Sequence, residues 1–179
     1  MAYAQKILPH YTYDDWVRWE GRWELIDGIP IAMSPMPQPK HQRIAANLIV
    51  EIEMALRAGK CSHCKVYQPL DYKISDDTIL VPDVLIVCGE IAKAYLDFAP
   101  ALVVEVLSPA TALRDRHTKY ELYQLQKVPF YLIADPEKEA LEIYRLINDR
   151  YELQPATTTF SFDLQNDCVI RVDFTKIWS

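Results

Sequence analysis

Two apolar runs constrain this chain more than any other feature: Asp83-Val84-Leu85-Ile86-Val87-Cys88, opened by Pro82, and Ala101-Leu102-Val103-Val104-Glu105-Val106-Leu107. Both are too short to be helices of the usual length and too continuously apolar to lie on a solvated sheet face. They read as strands covered on both faces, which requires layers of other structure above and below. One layer is supplied by Ile44, Leu48, Ile49, Ile52 and Leu56, whose spacing predicts a helix from about His41 to Ala58, stopped by Gly59. A second helix is predicted from about Thr111 to Gln126, after the break at Ser108-Pro109.

Shorter elements fill in the rest. Thr12 with Asp14 and Asp15 marks a helix start, and Gly21 its end. Arg22 to Ile26 and Ile29 to Met33 are a hairpin around Asp27-Gly28, followed by a stiff connector at Pro35, Pro37 and Pro39. Lys65 to Ile74 reads as one strand with a polar turn at Ser75-Asp76-Asp77, and Phe130 to Ala134 as another. Leu141 to Ile147 and Arg150 to Leu153 form a hairpin around Asn148-Asp149, and the tail from Phe160 adds one or two strands and a short helix. The chain has no internal repeat, low-complexity segment or linker. Its 179 residues suit one domain able to fold without staples.

Composition excludes several classes. Half the residues are hydrophobic and a quarter charged, as in a globular protein. No stretch approaches the ~20 uninterrupted apolar residues of a membrane span. The start, Met1 to Lys6, lacks a basic leader with a long apolar core, so a cytoplasmic location is expected. The four cysteines, Cys61, Cys64, Cys88 and Cys168, are then expected to be reduced thiols. Cys61-Ser-His63-Cys64 has zinc-ligand spacing but no second pair, and reads as an incidental loop pair rather than a zinc site. A net charge of −6 argues against long-range attraction to nucleic acid, so a nucleic-acid role must rest on a local basic patch or on bound metal ions.

Glu105 stands out because a carboxylate inside a buried apolar strand costs several kcal/mol unless it is paired or bound to metal. By itself it could equally be satisfied by an arginine or by backbone amides. Asp83 by itself is an ordinary turn residue after proline. Together they place two acids on consecutive strands, which are commonly neighbours in a sheet. A pair so placed repels unless a cation lies between, and hard oxygen ligands with room for water and phosphate suit Mg²⁺. Such an ion can polarise a phosphodiester and activate water. Glu24 interrupts the apolar run Trp23-Leu25-Ile26 and could join as a third acid, or face solvent on the hairpin. On the second helix, Asp115 and Lys119 are four apart and share a face. They are either a solvated salt bridge or a lysine aimed at the carboxylates, positioned by Asp115, where its ammonium could orient water or stabilise developing charge. Tyr120 and Tyr123 read as packing residues, with Tyr120 able to reach the site.

These residues resemble a known pattern. Pro82-Asp83 followed by Val-Val-Glu105-Val-Leu-Ser-Pro looks like the PD-(D/E)XK nuclease superfamily. More narrowly, the chain is similar to the Uma-type family of restriction-endonuclease-like bacterial proteins. The similarity runs from about Tyr11 to Leu153 through Trp23-Glu24-Leu25-Ile26-Asp27-Gly28, His41-Gln42, Pro82-Asp83, Glu105 to Pro109, Asp115 with Lys119, and Ala134-Asp135-Pro136. The resemblance implies an α/β fold over residues 1–179, a restriction-endonuclease-like mixed β-sheet flanked by helices with an N-terminal hairpin and additional C-terminal strands. It implies Mg²⁺- or Mn²⁺-dependent phosphodiester cleavage, DNA as substrate, and homodimers. It carries metal binding to Asp83, Glu105 and the backbone carbonyl of Val106, an accessory acid role to Glu24, and water orientation to Lys119. Two positions depart from the pattern. Leu107 stands two residues after Glu105, where the superfamily's lysine usually lies, and Lys127 stands where a glycine is expected to end the helix. His41 matches a family position but has no assigned role. A metal-dependent endonuclease is thus the leading expectation. The alternative is a catalytically silent nucleic-acid-binding or protein-interaction module on the same scaffold.

Overall fold

The computed structural model describes residues 8–33 and 38–179. The expected leaderless start at Met1 to Lys6 and the connector prolines Pro35 and Pro37 lie outside the described residues. Thr12 precedes a single turn of helix, α1 (Tyr13–Trp16), and both its backbone N–H and its hydroxyl donate to Asp15 Oδ2 at 3.0 Å. The hairpin β1 (Trp23–Ile26) and β2 (Ile29–Ala32) turns through Asp27 and Gly28, at φ 49° and 72°. Both turn residues are left-handed, as the tight turn matching strand twist requires. Helix α2 (Pro39–Ala58) begins two residues before His41, because proline is tolerated in the first turn, where no N–H is needed.

The single strand expected from Lys65 to Ile74 is two: β3 (Cys64–Tyr67) and β4 (Tyr72–Lys73). Pro69, which has no N–H for a ladder, falls between them, and the chain changes sheets there. With β5 (Ile79–Leu80), the small sheet has the order β2-β1-β5-β4. The large sheet contains β6 (Val84–Cys88), β7 (Leu102–Val106), β8 (Phe130–Asp135), β9 (Ala140–Ile147) and β10 (Arg150–Leu153), in the order β10-β9-β8-β7-β6-β3. Among the described strands of this sheet only β7 and β8 pair in parallel, so a crossover must join them. That crossover is helical from Ala112 to Leu125, but not uniformly. It comprises α3 (Ala112–Arg114), a π-turn (Asp115–Lys119) and α4 (Tyr120–Leu125). The tail is a hairpin, β11 (Thr159–Asp163) and β12 (Val169–Asp173), and a short 3₁₀ turn.

The large sheet is covered on both faces, as its apolar strands require. Val84, Ile86, Leu102, Val104 and Val106 pack with Ile44, Leu48, Ile52 and Leu56 of α2, and with Phe162, Ile170 and Val172 of the tail hairpin. Burial stabilises each large aliphatic side chain by about 2 kcal/mol. The alternate residues Leu85, Val87, Val103, Leu107, Tyr131 and Ile133 pack with Tyr123 of α4 and with Ile26 and Leu80 of the small sheet. No helix among the described residues is long and apolar enough to cross a membrane.

The expectation of reduced thiols is overturned: Cys61 is bonded to Cys168, and Cys64 to Cys88. The reason is topological. Cys64 and Cys88 are directly opposed on the antiparallel pair β3–β6, and Cys168 lies beside the turn that ends α2. His63, Cys64 and Cys88 do converge within 4.8 Å, but both sulfurs are taken up by the bridge.

Candidate active site

The ladder between β6 and β7 matches Val84 with Val104 and Leu85 with Val103, so one more step of that register sets Asp83 opposite Glu105. Directly opposed residues project from the same face. That face is the one carrying Val103 and Leu107, over which α4 lies. Leu107, two residues beyond Glu105, is buried in the apolar core of that face, and its N–H is bonded to the Ala134 carbonyl. The cation comes instead from above. Lys119 Nζ lies 2.9 Å from Glu105 Oε1, 2.7 Å from Glu24 Oε1 and 3.7 Å from Asp115 Oδ1. The helix carrying Lys119 packs on the face from which Glu105 projects, which is why a lysine 14 residues along the chain reaches it.

The cluster is dry. Glu24, Glu105, Asp115 and Lys119 are 0%, 2%, 1% and 2% exposed. Glu24 is not on the exposed hairpin face. It accepts a hydrogen bond from the Val81 N–H at 3.0 Å, contacts Arg114 Nε at 3.3 Å, and stands behind Lys119 rather than on the cavity. Tyr123, read as a packing residue, donates its hydroxyl to Glu105 Oε1 at 2.8 Å, whereas Tyr120 turns away to the Tyr151 carbonyl. The π-turn places Asp115 and Lys119 inward together, and Tyr123 follows one turn later on the same face. Such turns recur at functional sites.

Asp83 opens toward a cavity of about 270 Å³ lined by His41, Glu105, Val106, Asp115 and Lys119. Asp83 Oδ2 accepts the Val106 N–H at 2.9 Å and lies 3.2 Å from His41 Nε2. Four carboxylates, Glu24, Asp83, Glu105 and Asp115, stand among three permanent cations, Lys119, Arg114 and the exposed Arg22, and among the described residues Asp83 forms an ion pair with none of the three. Burial pushes the Glu105 carboxyl well above the usual range, the nearby Lys119 opposing and the other acids reinforcing. Asp115 is raised for the same reason. Burial lowers Lys119, but Glu105, Glu24 and Asp115 more than offset it and hold the ammonium charged. His41 is disfavoured as a cation by burial, yet is raised by Asp83, by the Val106 backbone and by Asp115. Burial thus sets the two carboxyl shifts, whereas neighbouring acids set those of Lys119 and His41. Asp115 Oδ1 and His41 Nδ1 are buried without a hydrogen-bond partner among the described residues. The oxygen donor set and these unpaired atoms fit a divalent cation.

A mixed sheet sandwiched by helices, with two acids on adjacent strands and a lysine over them, defines a nuclease-like fold. The chain belongs to the Uma2 family, described as "Putative restriction endonuclease", which it matches over residues 11–168. Among solved structures it is similar to "a putative nuclease belonging to DUF820" from Anabaena variabilis ATCC 29413. The identity is 19%, the TM-score 0.73, and the match covers 93% of this chain and 97% of that one. No curated protein matches the chain. The expected α/β fold, with its N-terminal hairpin and extra C-terminal strands, is therefore the one adopted. Sequence reasoning missed Tyr123 and Arg114. Tyr123 was signalled by its spacing of four from Lys119, whereas nothing distinguished Arg114 from a solvated helix cation.

Proposed function

We propose that this protein is a divalent-metal-dependent endonuclease that hydrolyses phosphodiester bonds in DNA. The observation that carries this reading is the convergence of Asp83, Glu105 and Lys119 at one cavity, with Glu105 and Lys119 buried and Asp83 outside ion-pair distance of any permanent cation among the described residues. Asp83, Glu105 and the Val106 carbonyl would hold Mg²⁺ or Mn²⁺, which supplies Lewis acidity at the phosphate and makes water a better nucleophile. Lys119 remains charged, and it orients the attacking water and stabilises charge developing on the phosphoryl oxygens. Glu24 and Asp115 fix the position of Lys119, and Tyr123 holds Glu105. A cation held there would also offset the net charge of −6 where the anionic backbone docks. A homodimer would supply a second active site for the opposite strand, and light scattering reads that state directly.

The test is a cleavage assay on single- and double-stranded DNA and RNA, with Mg²⁺ or Mn²⁺ and with chelator. Duplex DNA should be cut only with metal. Asp83→Asn, Glu105→Gln and Lys119→Met should each lower the rate by at least about 100-fold, the scale of losing one preorganised electrostatic contact. Cleavage that survives Glu105→Gln and Lys119→Met undoes the assignment. A folded protein that binds metal and cuts nothing points to a silent module.

A further inference from the structure

His63, Cys64 and Cys88 meet at the corner where the turn after α2 runs into β3. One ring nitrogen and the two sulfurs lie within 4.8 Å of one another. The backbone builds this convergence as much as the bridge does. Cys64 to Tyr67 pair with Cys88 to Leu85, and the Gly89 N–H extends the ladder by donating to the His63 carbonyl at 3.0 Å. His63 lies in the turn, outside the strand, so strand alternation does not send its ring to the face opposite Cys64. Its Nε2 donates to the Gln165 carbonyl at 3.0 Å, and the neutral ring then keeps its lone pair on Nδ1. Nδ1 is the nitrogen nearer the main chain that continues into Cys64. An imidazole whose other N–H is fixed by a carbonyl is the usual form of a metal-ligating histidine. A depression lined by Lys60, Ser62, Cys64 and Lys65 connects this corner with solvent.

We propose that His63, Cys64 and Cys88 form a zinc site, separate from the acidic cavity, that opens when the Cys64–Cys88 bond is reduced. A dithiol supplies the two electrons and two protons. It becomes a disulfide, Cys64 and Cys88 become thiols, and Zn²⁺ displaces their two protons to bind both thiolates. Strand pairing keeps the two residues opposed once the bond is gone. The sulfurs then need only part to about 3.8 Å, the separation of two thiolates on a tetrahedral ion with bonds of about 2.3 Å. Two thiolates and an imidazole are softer than the oxygen ligands of the acidic cavity, and they select zinc over magnesium. Water fills the fourth position, since Cys61 and Cys168 lie outside the converging group. The pair with zinc-ligand spacing in sequence, Cys61 and Cys64, is therefore not the pair that binds.

Co²⁺ is the probe, because thiolate ligands give it a sulfur-to-metal charge-transfer band and tetrahedral geometry gives it strong visible absorption. Every measurement is made in the Asp83→Asn background, which leaves this corner intact and removes an acid of the other centre. Oxidised protein should show no charge-transfer band. After a phosphine reductant has been added and removed, one equivalent of Co²⁺ should produce the band and Zn²⁺ should displace it. Cys88→Ser should abolish the band, and His63→Ala should weaken Co²⁺ binding by roughly tenfold or more. Zn²⁺ at about 100 times its dissociation constant should raise the melting temperature of the reduced protein by roughly 5–10 °C and leave that of the oxidised protein unchanged. If reduction unfolds the chain, Zn²⁺ should restore its far-ultraviolet circular dichroism. A reduced protein that gives no charge-transfer band, or that stays unfolded with Zn²⁺, would overturn the proposal. Equal Co²⁺ affinity in His63→Ala would also overturn it, by assigning the ion to cysteines alone. The nuclease reading stands under any of these results, since it concerns the acidic cavity.

Discussion

Lys119 is a single ammonium within salt-bridge distance of Glu24, Glu105 and Asp115, and that imbalance has a consequence in solution. Glu105 and Asp115 both titrate above their ordinary values in the folded chain, burial being the first cause. Over the interval between the unfolded and folded values, the folded form binds more protons. Their stabilising contribution is therefore complete below the ordinary carboxylate range and is lost as pH rises through the raised values. His41 is also raised, so it acts with the same sign. Metal-free protein should accordingly melt at progressively lower temperature as pH rises from the ordinary carboxylate range through the raised values. Glu105→Gln should flatten that slope, and saturating Mn²⁺ should do the same in wild type. Thermal melts in chelator across this interval check the point, and parallel slopes for wild type and Glu105→Gln would count against it. Glu105 was legible from sequence because a carboxylate in an apolar strand violates a strong rule. Asp83 became informative only beside it. The spacing of Tyr123 from Lys119 signalled only a shared face, because a tyrosine facing a sheet satisfies the packing rule whether or not its hydroxyl finds a carboxylate.

At the scale of elements, the hydrophobic pattern gave the helices and buried strands, and local chemistry set the deviations. Pro69 divided one expected strand between two sheets, and Pro39 lengthened α2 at its start. The π-turn was not legible, since the same apolar spacing describes a regular helix, and the inward demand of both Asp115 and Lys119 is a tertiary fact. The end of this helix carries a clear prediction. Lys127 adopts φ 60°, the left-handed geometry for which glycine is suited. Holding a side chain there costs about 1–2 kcal/mol, while glycine costs about 0.4–1 kcal/mol through the freedom it adds to the unfolded chain. The pair between Lys127 and Asp149, 2.7 Å long and with both side chains more than half exposed, contributes little. Lys127→Gly should therefore stabilise the protein by roughly 0.5–1 kcal/mol, read as a higher urea midpoint at unchanged slope. A lower midpoint would mean that the exposed ion pair contributes more than its geometry suggests.

For the whole molecule, the two disulfides are the feature the sequence reading got wrong, because it inferred their state from an expected compartment rather than from the proximity that folding creates. They close loops of very different size, with separations of 107 residues for Cys61–Cys168 and 24 for Cys64–Cys88. The first ties the end of α2 to the tail hairpin, whereas the second links neighbouring strands already joined by ladder hydrogen bonds. If a cross-link acts mainly by restricting the unfolded chain, the longer loop contributes roughly 5 kcal/mol and the shorter roughly 3.5 kcal/mol. The double variant Cys61→Ala with Cys168→Ala should then melt about 3–5 °C below Cys64→Ala with Cys88→Ala. The gap should vanish in excess reductant, where neither protein retains a cross-link. Both bridges lie away from the cavity: Cys88 ends the strand whose opposite end leads to Asp83, and none of the four cysteines lines the cavity. Metal-dependent cleavage by either double variant, measured well below its melting temperature, should therefore match wild type. Loss of cleavage on reduction alone, with the fold intact, would show that the bridges hold β6 in the register that sets Asp83 across from Glu105.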